Sequence, residues 1–330
     1  MAHTKITGGH ARVHARCDME ATLASGQTFA FVPCTGGFSG IVDRRPVMIH
    51  RESDGDAGCG AGGITEGVAR SAEGFAAGGT TSGGYIIECP EADAAFWRRY
   101  FDLDRHYGEL LSKYILGGNM HVAGSGDMST SAPGEHFLAM CVEAFNGLKL
   151  LRQPVWETIC AFIISANNHQ KRIESIYRGL SRLYGEAIEW AGMNFYAFPS
   201  AQALAAAGED GLRQVGLGYR APYLWDTAKS VAMSGLADID NLAYENALKY
   251  LMSFRGVGEK VADCVLLFST RHQKAFPVDV WIERALREHY GMGGSRREMK
   301  LMAQAMFGYA AGVAQQFLFH GMRTKLTRNK

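Results

Sequence analysis

Residues 251–264 read Leu-Met-Ser-Phe-Arg-Gly-Val-Gly-Glu-Lys-Val-Ala-Asp-Cys. The two glycines, Gly256 and Gly258, predict a tight turn between two helices, because glycine lets the backbone turn sharply and approach a ligand closely. Lys260 then lies in the first turn of the second helix, where unpaired backbone N–H groups favour an anion such as a phosphate. The segment therefore predicts a helical hairpin that holds an amine beside a nucleic-acid backbone.

An acid follows in residues 277–280, which read Pro-Val-Asp-Val. Asp279 precedes an apolar-periodic segment, so we expect it to cap a helix and to stay ionised there. Lys260 faces the positive end of its own helix, and partial burial adds to that effect, so we expect a lowered pKa and a nucleophilic amine. Cys264 shares its helical face. Taken alone, these residues are also compatible with a phosphate-pairing lysine, a structural cap and a small buried thiol.

Composition limits the class of protein. The 330 residues are 47% apolar and 20% charged, which is typical of a globular protein large enough for two domains. The formal net charge is +1, so a DNA-binding surface must be a local concentration of basic residues. Candidates are residues 171–172, 296–297 and 323–328, although each is also compatible with an ordinary solvated surface.

The seven cysteines are scattered singly, without a Cys-x-x-Cys pair. This argues against a zinc ribbon or an iron–sulfur cluster, both of which need clustered thiolates. No metal or organic cofactor is predicted. The N-terminus lacks an apolar signal core and no run of about 18 apolar residues occurs, so we expect an intracellular protein outside the membrane.

The first 122 residues predict an antiparallel β-rich domain. Short β-prone runs bounded by turn residues cover 11–16, 28–32, 38–42, 46–51 and 85–88. Residues 54–84 are rich in glycine, alanine and serine, and predict a flexible insertion without a core of its own. Residues 91–114 predict a helix.

Residues 123–330 predict an all-helical domain, joined to the first by glycines at 117–118 and 124–126. Apolar stripes recur at helical spacing within 137–148 and 155–163. Further helices are predicted at 173–184, 201–207, 221–234, 242–254, 260–269, 280–290, 297–307 and 311–320. The predicted fold class is therefore α+β, with a β-rich domain followed by a helical one.

Together, these motifs make the chain similar to the 8-oxoguanine DNA glycosylase/AP-lyase branch of the helix–hairpin–helix (HhH-GPD) glycosylases. The resemblance runs in pieces from about residue 22 to residue 320. It rests on residues 25–29, 150–153, 165–172, 216–221, 256–264 and 277–280. It implies a TBP-like β-rich N-terminal domain and a helical HhH-GPD domain.

The resemblance also implies the chemistry. Such enzymes flip the damaged nucleotide out of the duplex, since its glycosidic bond cannot be reached inside the stack. Lys260 corresponds to the nucleophile that attacks the anomeric carbon and forms a Schiff base, after which β-elimination nicks the strand. Asp279 corresponds to the acid that stabilises the positive charge of the sugar.

Four further positions correspond to the base pocket. The carbonyl of Gly26 would accept the N7–H that oxidised guanine has and normal guanine lacks. Phe319 would stack on the base and Gln315 would bond its pairing edge; their spacing puts both on one helix face. Cys264 would form the pocket wall beside the amine.

The resemblance assigns the DNA contacts to Asn167, Asn168, Arg172, Tyr219, Arg220, Gly256 and Gly258. Asn167 would fill the gap left by the flipped nucleotide, and Tyr219 would wedge beside it. Arg172 and Arg220 would contact the orphaned cytosine. Read structurally, the asparagines could simply end a helix and the tyrosine could belong to the core.

The chain departs from the family pattern at several positions. The best-known members carry a histidine two residues after the aspartate, paired with an acid on the terminal helix; Trp281 and Met322 occupy those positions here. Residues 29–31, Phe-Ala-Phe, lack the arginine and tryptophan often found there. The insertion at 54–84 has no family counterpart.

The function predicted from the sequence is a bifunctional DNA glycosylase/AP lyase that excises 8-oxoguanine from double-stranded DNA, preferentially opposite cytosine. We expect it to act as a monomer. One alternative is a superfamily enzyme for another lesion. The other is a non-catalytic DNA-binding module, which would need the turn at Gly256 and Gly258 but would have no use for Lys260 together with Asp279.

Overall fold

The structure is a computed structural model that describes residues 3–52, 84–115, 133–324 and 326. The predicted insertion at 54–84 lies outside the described residues except for Gly84. The predicted glycine linkers and the boundary between residues 122 and 123 lie outside them as well, so these two expectations stay predictions.

The N-terminal domain is an antiparallel five-stranded sheet. Its strands are β2 (His10–Ala15), β3 (Phe31–Cys34), β4 (Gly37–Val42), β5 (Arg45–Arg51) and β6 (Tyr85–Pro90), in the spatial order β2-β6-β5-β4-β3. Asp43 and Arg44 join β4 to β5 with φ values of 47° and 63°, the left-handed pair that matches the twist of a two-residue hairpin. The predicted sheet is confirmed, although the strand predicted at 28–32 begins later, at Phe31.

Two short helices, α1 (Met19–Ala24) and α2 (Ala94–Tyr100), accompany this sheet, whereas α3 (Tyr107–Ile115) packs into the apolar cluster of the helical domain. The single helix predicted over 91–114 is interrupted between α2 and α3. Asp102 has a φ of 47°, which a continuous right-handed helix cannot accommodate, and its carboxylate accepts a hydrogen bond from the Tyr107 hydroxyl.

The remaining helices form the second domain, as predicted. They are α4 (Pro133–Ala144), α5 (Val155–Ser165), α6 (Gln170–Tyr184), α7 (Ala201–Gln214), α8 (Ala221–Ser234), α9 (Tyr244–Met252), α10 (Glu259–Ser269), α11 (Val280–Tyr290), α12 (Arg296–Phe307) and α13 (Ala311–Arg323). A single large apolar cluster runs through them. α7 extends past its predicted end at 207, with a non-helical break at Gly208, where φ is 72°.

The second domain also contains a short sheet that the helical pattern did not predict. β7 (Ala187–Trp190) and β8 (Met193–Tyr196) form a hairpin, and β1 (His3–Lys5) adds to β7 in parallel. Ile188 and Trp190 are buried at alternate positions, as in a half-buried strand. Ala191 and Gly192 turn with φ values of 51° and 76°.

Buried polar groups connect the two domains. Lys149 N donates to Thr22 Oγ1 over 3.0 Å, and Glu157 Oε1 accepts a 2.8 Å hydrogen bond from Asp43 N. Burial raises the pKa of Glu157 to about 7, while the hydrogen bonds that it accepts from Asp43 N and from the Tyr177 hydroxyl act in the opposite direction. The sheet is thus held against the start of α5, which brings the loop after α1 into the helical domain.

Candidate active site

The predicted helical hairpin is formed by α9 and α10. Gly256 in the turn has a φ of +84°, and a Cβ at this position would come 2.7 Å from the Tyr223 ring. Gly258 is the N-cap residue of α10, and it has no side chain to satisfy the first N–H groups of that helix. These donors are therefore open to a ligand.

Lys260 lies in the first turn of α10. Its side chain is accessible to solvent although protein atoms surround it on most sides, as on the wall of a cleft. The Nζ atom lies 5.5 Å from the centre of the Phe162 ring and hydrogen bonds with Cys264. The amine is thus reachable from outside and fixed in position from within.

The expectation of a lowered pKa for Lys260 is wrong. Interaction with the Cys264 side chain raises the pKa of Lys260 above its usual value; burial opposes this effect, and the charge of Asp279 adds to it. Burial also raises the pKa of the Cys264 thiol to about 11. At neutral pH the pair is therefore an ammonium beside a thiol, and the amine must lose a proton before it can act as a nucleophile.

Asp279 is the N-cap residue of α11, as predicted. Its Oδ1 accepts hydrogen bonds from Trp281 N at 3.0 Å and Ile282 N at 2.9 Å. These bonds fix the carboxylate at the end of the Pro277–Asp279 segment, and its charge acts on Lys260 across the gap between the two helices. The structural role is confirmed, whereas the catalytic role stays a prediction.

The predicted base-pocket residues come together from opposite ends of the chain. A Cβ on Gly26 would come 3.5 Å from the Phe319 ring, so the loop after α1 abuts α13. Gln315 on the same helix donates from Nε2 to the carbonyl of Pro277 over 3.1 Å. Its Oε1 is buried without a hydrogen-bond partner among the described residues. An unpaired buried acceptor costs about 1–3 kcal/mol, so this oxygen favours a ligand that donates to it.

Neighbouring glutamines hold the Gly26 loop in place. Gln27 is fully buried; its Nε2 donates to Lys149 O at 2.7 Å and its Oε1 accepts from Leu151 N at 2.9 Å. From α13, Gln316 Nε2 donates to Ser25 O over 3.2 Å. The left-handed φ of +76° at Gly26 suits glycine, and it turns the chain between these two anchors.

The two predicted DNA-inserting elements also lie together. Asn167 has a φ of 47° in the loop between α5 and α6, and the Tyr219 hydroxyl donates to Ala166 O over 3.1 Å. Tyr219 is 51% exposed, which suits a wedge. Arg172 is exposed at the start of α6 and donates to Gly216 O at 3.1 Å.

Arg220 differs from the other predicted DNA contacts. It is only 3% exposed, and its guanidinium donates at 2.7 Å to each of the carbonyls of Ala166 and Asn167. In this structure it braces the inserting loop. Asn168 has a similar local role, since its Nδ2 donates to Ile164 O at 3.1 Å.

Two family profiles cover most of the chain. Residues 12–159 match the N-terminal domain of 8-oxoguanine DNA glycosylase, and residues 160–308 match the HhH-GPD superfamily of base excision DNA repair proteins. A probable N-glycosylase/DNA lyase of Methanothermobacter thermautotrophicus is 33% identical over 56% of this chain and 67% of that protein. The chain belongs to the HhH-GPD superfamily of base excision DNA repair proteins.

Other members of the superfamily extend the comparison. The N-glycosylase/DNA lyase of Saccharomyces cerevisiae is 33% identical over 47% of this chain, and the match spans about half of the yeast protein, 45%. The 8-oxoguanine glycosylase/lyase of Clostridium acetobutylicum, solved with DNA containing cytosine opposite 8-oxoG, superposes with a TM-score of 0.74 at 26% identity over 94% of this chain and 93% of that one. The MBOgg1 structure gives a TM-score of 0.76 at 27% identity, covering 97% of both chains. The predicted family and fold are confirmed.

Within this superfamily, the two departures seen in the sequence have a packing role. Met322 is 6% exposed in the main apolar cluster, and Trp281 is half-buried against the same cluster. Among the described residues no group of histidine, cysteine, aspartate and glutamate side chains is arranged to hold a metal ion. No helix in that part of the chain is long and apolar enough to cross a membrane.

Sequence reasoning missed two residues of this site. Gln27 was noticed only as a neighbour of Gly26, although a glutamine between two turn-forming segments could have indicated a buried anchor. Arg323 was considered only as part of a basic tail. Its position four residues after Phe319 puts both on one helix face, and that spacing could have identified it.

Proposed function

We propose that this protein is a bifunctional DNA glycosylase/AP lyase that excises 8-oxoguanine from duplex DNA, preferentially opposite cytosine. The observation that carries the proposal is the coupling of Lys260 to Cys264 and Asp279 beside a pocket with an unsatisfied buried acceptor. The N-glycosylase/DNA lyases among its relatives support the reaction class. We expect the enzyme to work as a monomer inside the cell, in the cytoplasm and nucleoid, or in the nucleus if the cell is eukaryotic.

The pocket would recognise the base by matching hydrogen-bond acceptors of the protein to donors of the base. The Nε2 of Gln315 is committed to the Pro277 carbonyl, so the free Oε1 presents an acceptor to the pocket. The pairing edge of a guanine carries N–H donors, whereas a thymine or an adenine would present a different pattern. The Gly26 carbonyl would then select the N7–H of the oxidised base, since normal guanine would set an acceptor against an acceptor.

The chemistry needs one deprotonated amine. Lys260 Nζ bonds to C1′ as the C1′–N9 bond breaks and the base leaves with that electron pair; the proton lost from Nζ passes to the departing base. Asp279 stabilises the positive charge that develops on the sugar. The sugar ring then opens to an imine, and removal of a C2′ proton expels the 3′ phosphate by β-elimination.

Opposite-base preference is assigned to the inserting elements. Asn167 would occupy the gap, Tyr219 would wedge into the stack, and the exposed Arg172 would contact cytosine. Arg220 would contribute by bracing the loop through the carbonyl of Asn167. The Clostridium relative, solved with cytosine opposite 8-oxoG, supports this choice of opposite base.

The test is borohydride trapping on a duplex with one 8-oxoguanine opposite cytosine. Borohydride reduces the imine to a stable amine, so we expect a covalent protein–DNA band for the native protein. Lys260→Gln should abolish the band and still bind the duplex. Lys274→Gln, which removes an exposed lysine beyond the far end of α10, is the matched control and should trap like the native protein.

Parallel duplexes sharpen the result. Undamaged guanine opposite cytosine should give no band, and 8-oxoguanine opposite adenine should give a weaker one. Trapping that persists in Lys260→Gln would contradict the assigned nucleophile. Base release without any trapped adduct would contradict the lyase half of the proposal.

A further inference from the structure

Arg323, in the last turn of α13, borders the base pocket. Its guanidinium carbon lies 5.7 Å from the centre of the Phe319 ring. A Cβ on Gly26 would come 3.1 Å from its Nη1, so this nitrogen faces the Gly26 loop. The guanidinium therefore lies at the opening between the two walls that would enclose a flipped base.

The guanidinium of Arg323 is hydrogen bonded to a neutral side chain, and the nearby carboxylates act on it only through their charges. Its Nη2 donates to Oε1 of Gln170, and Gln170 Nε2 in turn donates to Glu174 Oε1 over 2.9 Å, which fixes the amide orientation. Burial lowers the pKa of Arg323, while the charges of Asp279 and Glu174 raise it without a hydrogen bond to it. An arginine stays protonated under all these conditions, so the burial cost persists until an anion arrives.

The position of Gln170 indicates where that anion would come from. Gln170 begins α6 directly after the inserting loop that contains Asn167. Arg323 thus lies between the pocket and the loop, and the strand that carries a flipped nucleotide must pass between the same two features. The anions of that strand are its phosphodiesters, whose oxygens match the forked donors of a guanidinium.

We propose that Arg323 is a positioning residue that binds a phosphate flanking the flipped nucleotide and so holds the nucleotide in the pocket. This inference rests on the proposed glycosylase function. Among the described residues, Gln170 is the hydrogen-bond acceptor for one donor of the guanidinium, and the proposal assigns the other donors to the phosphate. Because a phosphate contact is independent of the base, it acts on damaged and abasic strands alike.

The test measures binding in a Lys260→Gln background, so that no chemistry intervenes. The probes are duplexes with 8-oxoguanine or with a tetrahydrofuran abasic analogue opposite cytosine. Arg323→Gln should weaken binding to both by the same factor, about tenfold, and should reduce the slope of log affinity against log salt by about one. Arg182→Gln, which removes an exposed arginine at the far end of α6, is the control and should change neither affinity by more than about twofold.

A second measurement identifies the contact. Neutral methylphosphonates replace, one at a time, the phosphates on either side of the lesion. One of these replacements should weaken DNA binding by the protein that carries Arg323 about as much as Arg323→Gln does. The same replacement should cause no further loss of affinity in the Arg323→Gln variant. Equal losses in both proteins at every position would overturn the proposal.

Other outcomes are equally decisive. If Arg323→Gln weakens binding to 8-oxoguanine but leaves the abasic duplex unchanged, Arg323 contacts the base and the phosphate proposal is wrong. Arg323→Lys retains the charge and should recover part of the affinity; thermal unfolding of each variant excludes misfolding. If the proposed function fails, the native protein releases no base, while the abasic-duplex and methylphosphonate comparisons still report on Arg323.

Discussion

Two helices begin at the candidate active site, and their first turns are used in opposite ways. α10 starts after Gly258, which offers no side chain to its N–H groups and leaves them for a ligand. α11 starts after Asp279, whose carboxylate takes two of the equivalent donors. The first arrangement favours a phosphate, and the second fixes a negative charge beside Lys260. The same backbone feature is thus either left open to an anion or used to orient a side chain, according to the residue at the N-cap.

Asp279→Asn removes the negative charge at the start of α11 and keeps the side-chain hydrogen bonds that cap the helix. Asparagine caps helices as well as aspartate does, so we expect the free energy of unfolding to change by less than about 0.5 kcal/mol. The single-turnover rate of base excision should fall at least about 100-fold, because the stabilising charge is lost.

Asp279→Ala is the matched variant, and it should additionally lose about 1 kcal/mol of stability with the cap. Urea unfolding and rapid-quench kinetics measure the two effects. An asparagine variant with the native excision rate would show that α11's start has only a structural role.

Gly256→Ala tests the turn that leads into α10. The left-handed φ of +84° and the 2.7 Å approach to Tyr223 both oppose a side chain, so unfolding should become easier by about 2 kcal/mol. Gly258→Ala is the control, because a Cβ there meets nothing within 4 Å. Equal stability losses for the two variants, measured by urea unfolding, would contradict the assigned difference between the glycines.

The pH dependence of excision tests the amine at α10's start. Attack needs neutral Lys260, and its raised pKa means that the neutral fraction falls about tenfold for each pH unit below that value. The single-turnover rate should therefore rise with pH through the neutral range. Cys264→Ala removes the largest cause of the raised pKa and should move the profile to lower pH.

A plateau already at pH 7 in the native protein would indicate the lowered pKa that the sequence suggested. A profile that moves to higher pH in Cys264→Ala would show that the thiol does not raise the lysine pKa.

Gly258→Asp gives α10 the same N-cap residue type as α11. The extended φ of −87° at Gly258 accepts any residue, and the new cap should stabilise the helix by a few tenths of a kcal/mol. Its charge should repel the phosphate and weaken binding to an abasic-analogue duplex by about fivefold. Gly258→Ser adds a cap without charge and should weaken binding by less than about twofold. Fluorescence anisotropy that gives equal affinities for the two variants would show that no phosphate reaches this helix.

The features predicted correctly from the sequence are local ones. The glycine turn, the cap at Asp279 and the helices around them follow from short-range backbone rules that need no knowledge of the fold. The hairpin at 187–196 was missed because four-residue strands give little periodic signal beside longer helices.

The errors concern interactions between side chains. The pKa of Lys260 is raised first by Cys264, four residues further along the same helix, and also by Asp279 at the start of another helix, whereas the helix-end argument considered only the backbone and burial. The different roles of Arg220 and Arg323 also depend on packing. One is buried as a brace for the inserting loop and the other borders the pocket, and only the packing of α6, α8 and α13 assigns those roles.

The most direct test of the central claim is to identify the amine that becomes attached to DNA. The borohydride-trapped complex with 8-oxoguanine opposite cytosine would be digested with nuclease and protease and sequenced by mass spectrometry. We predict a reduced sugar remnant on Lys260 and on no other amine. A remnant on the N-terminus or on another lysine would contradict the mechanism, even if the base were released.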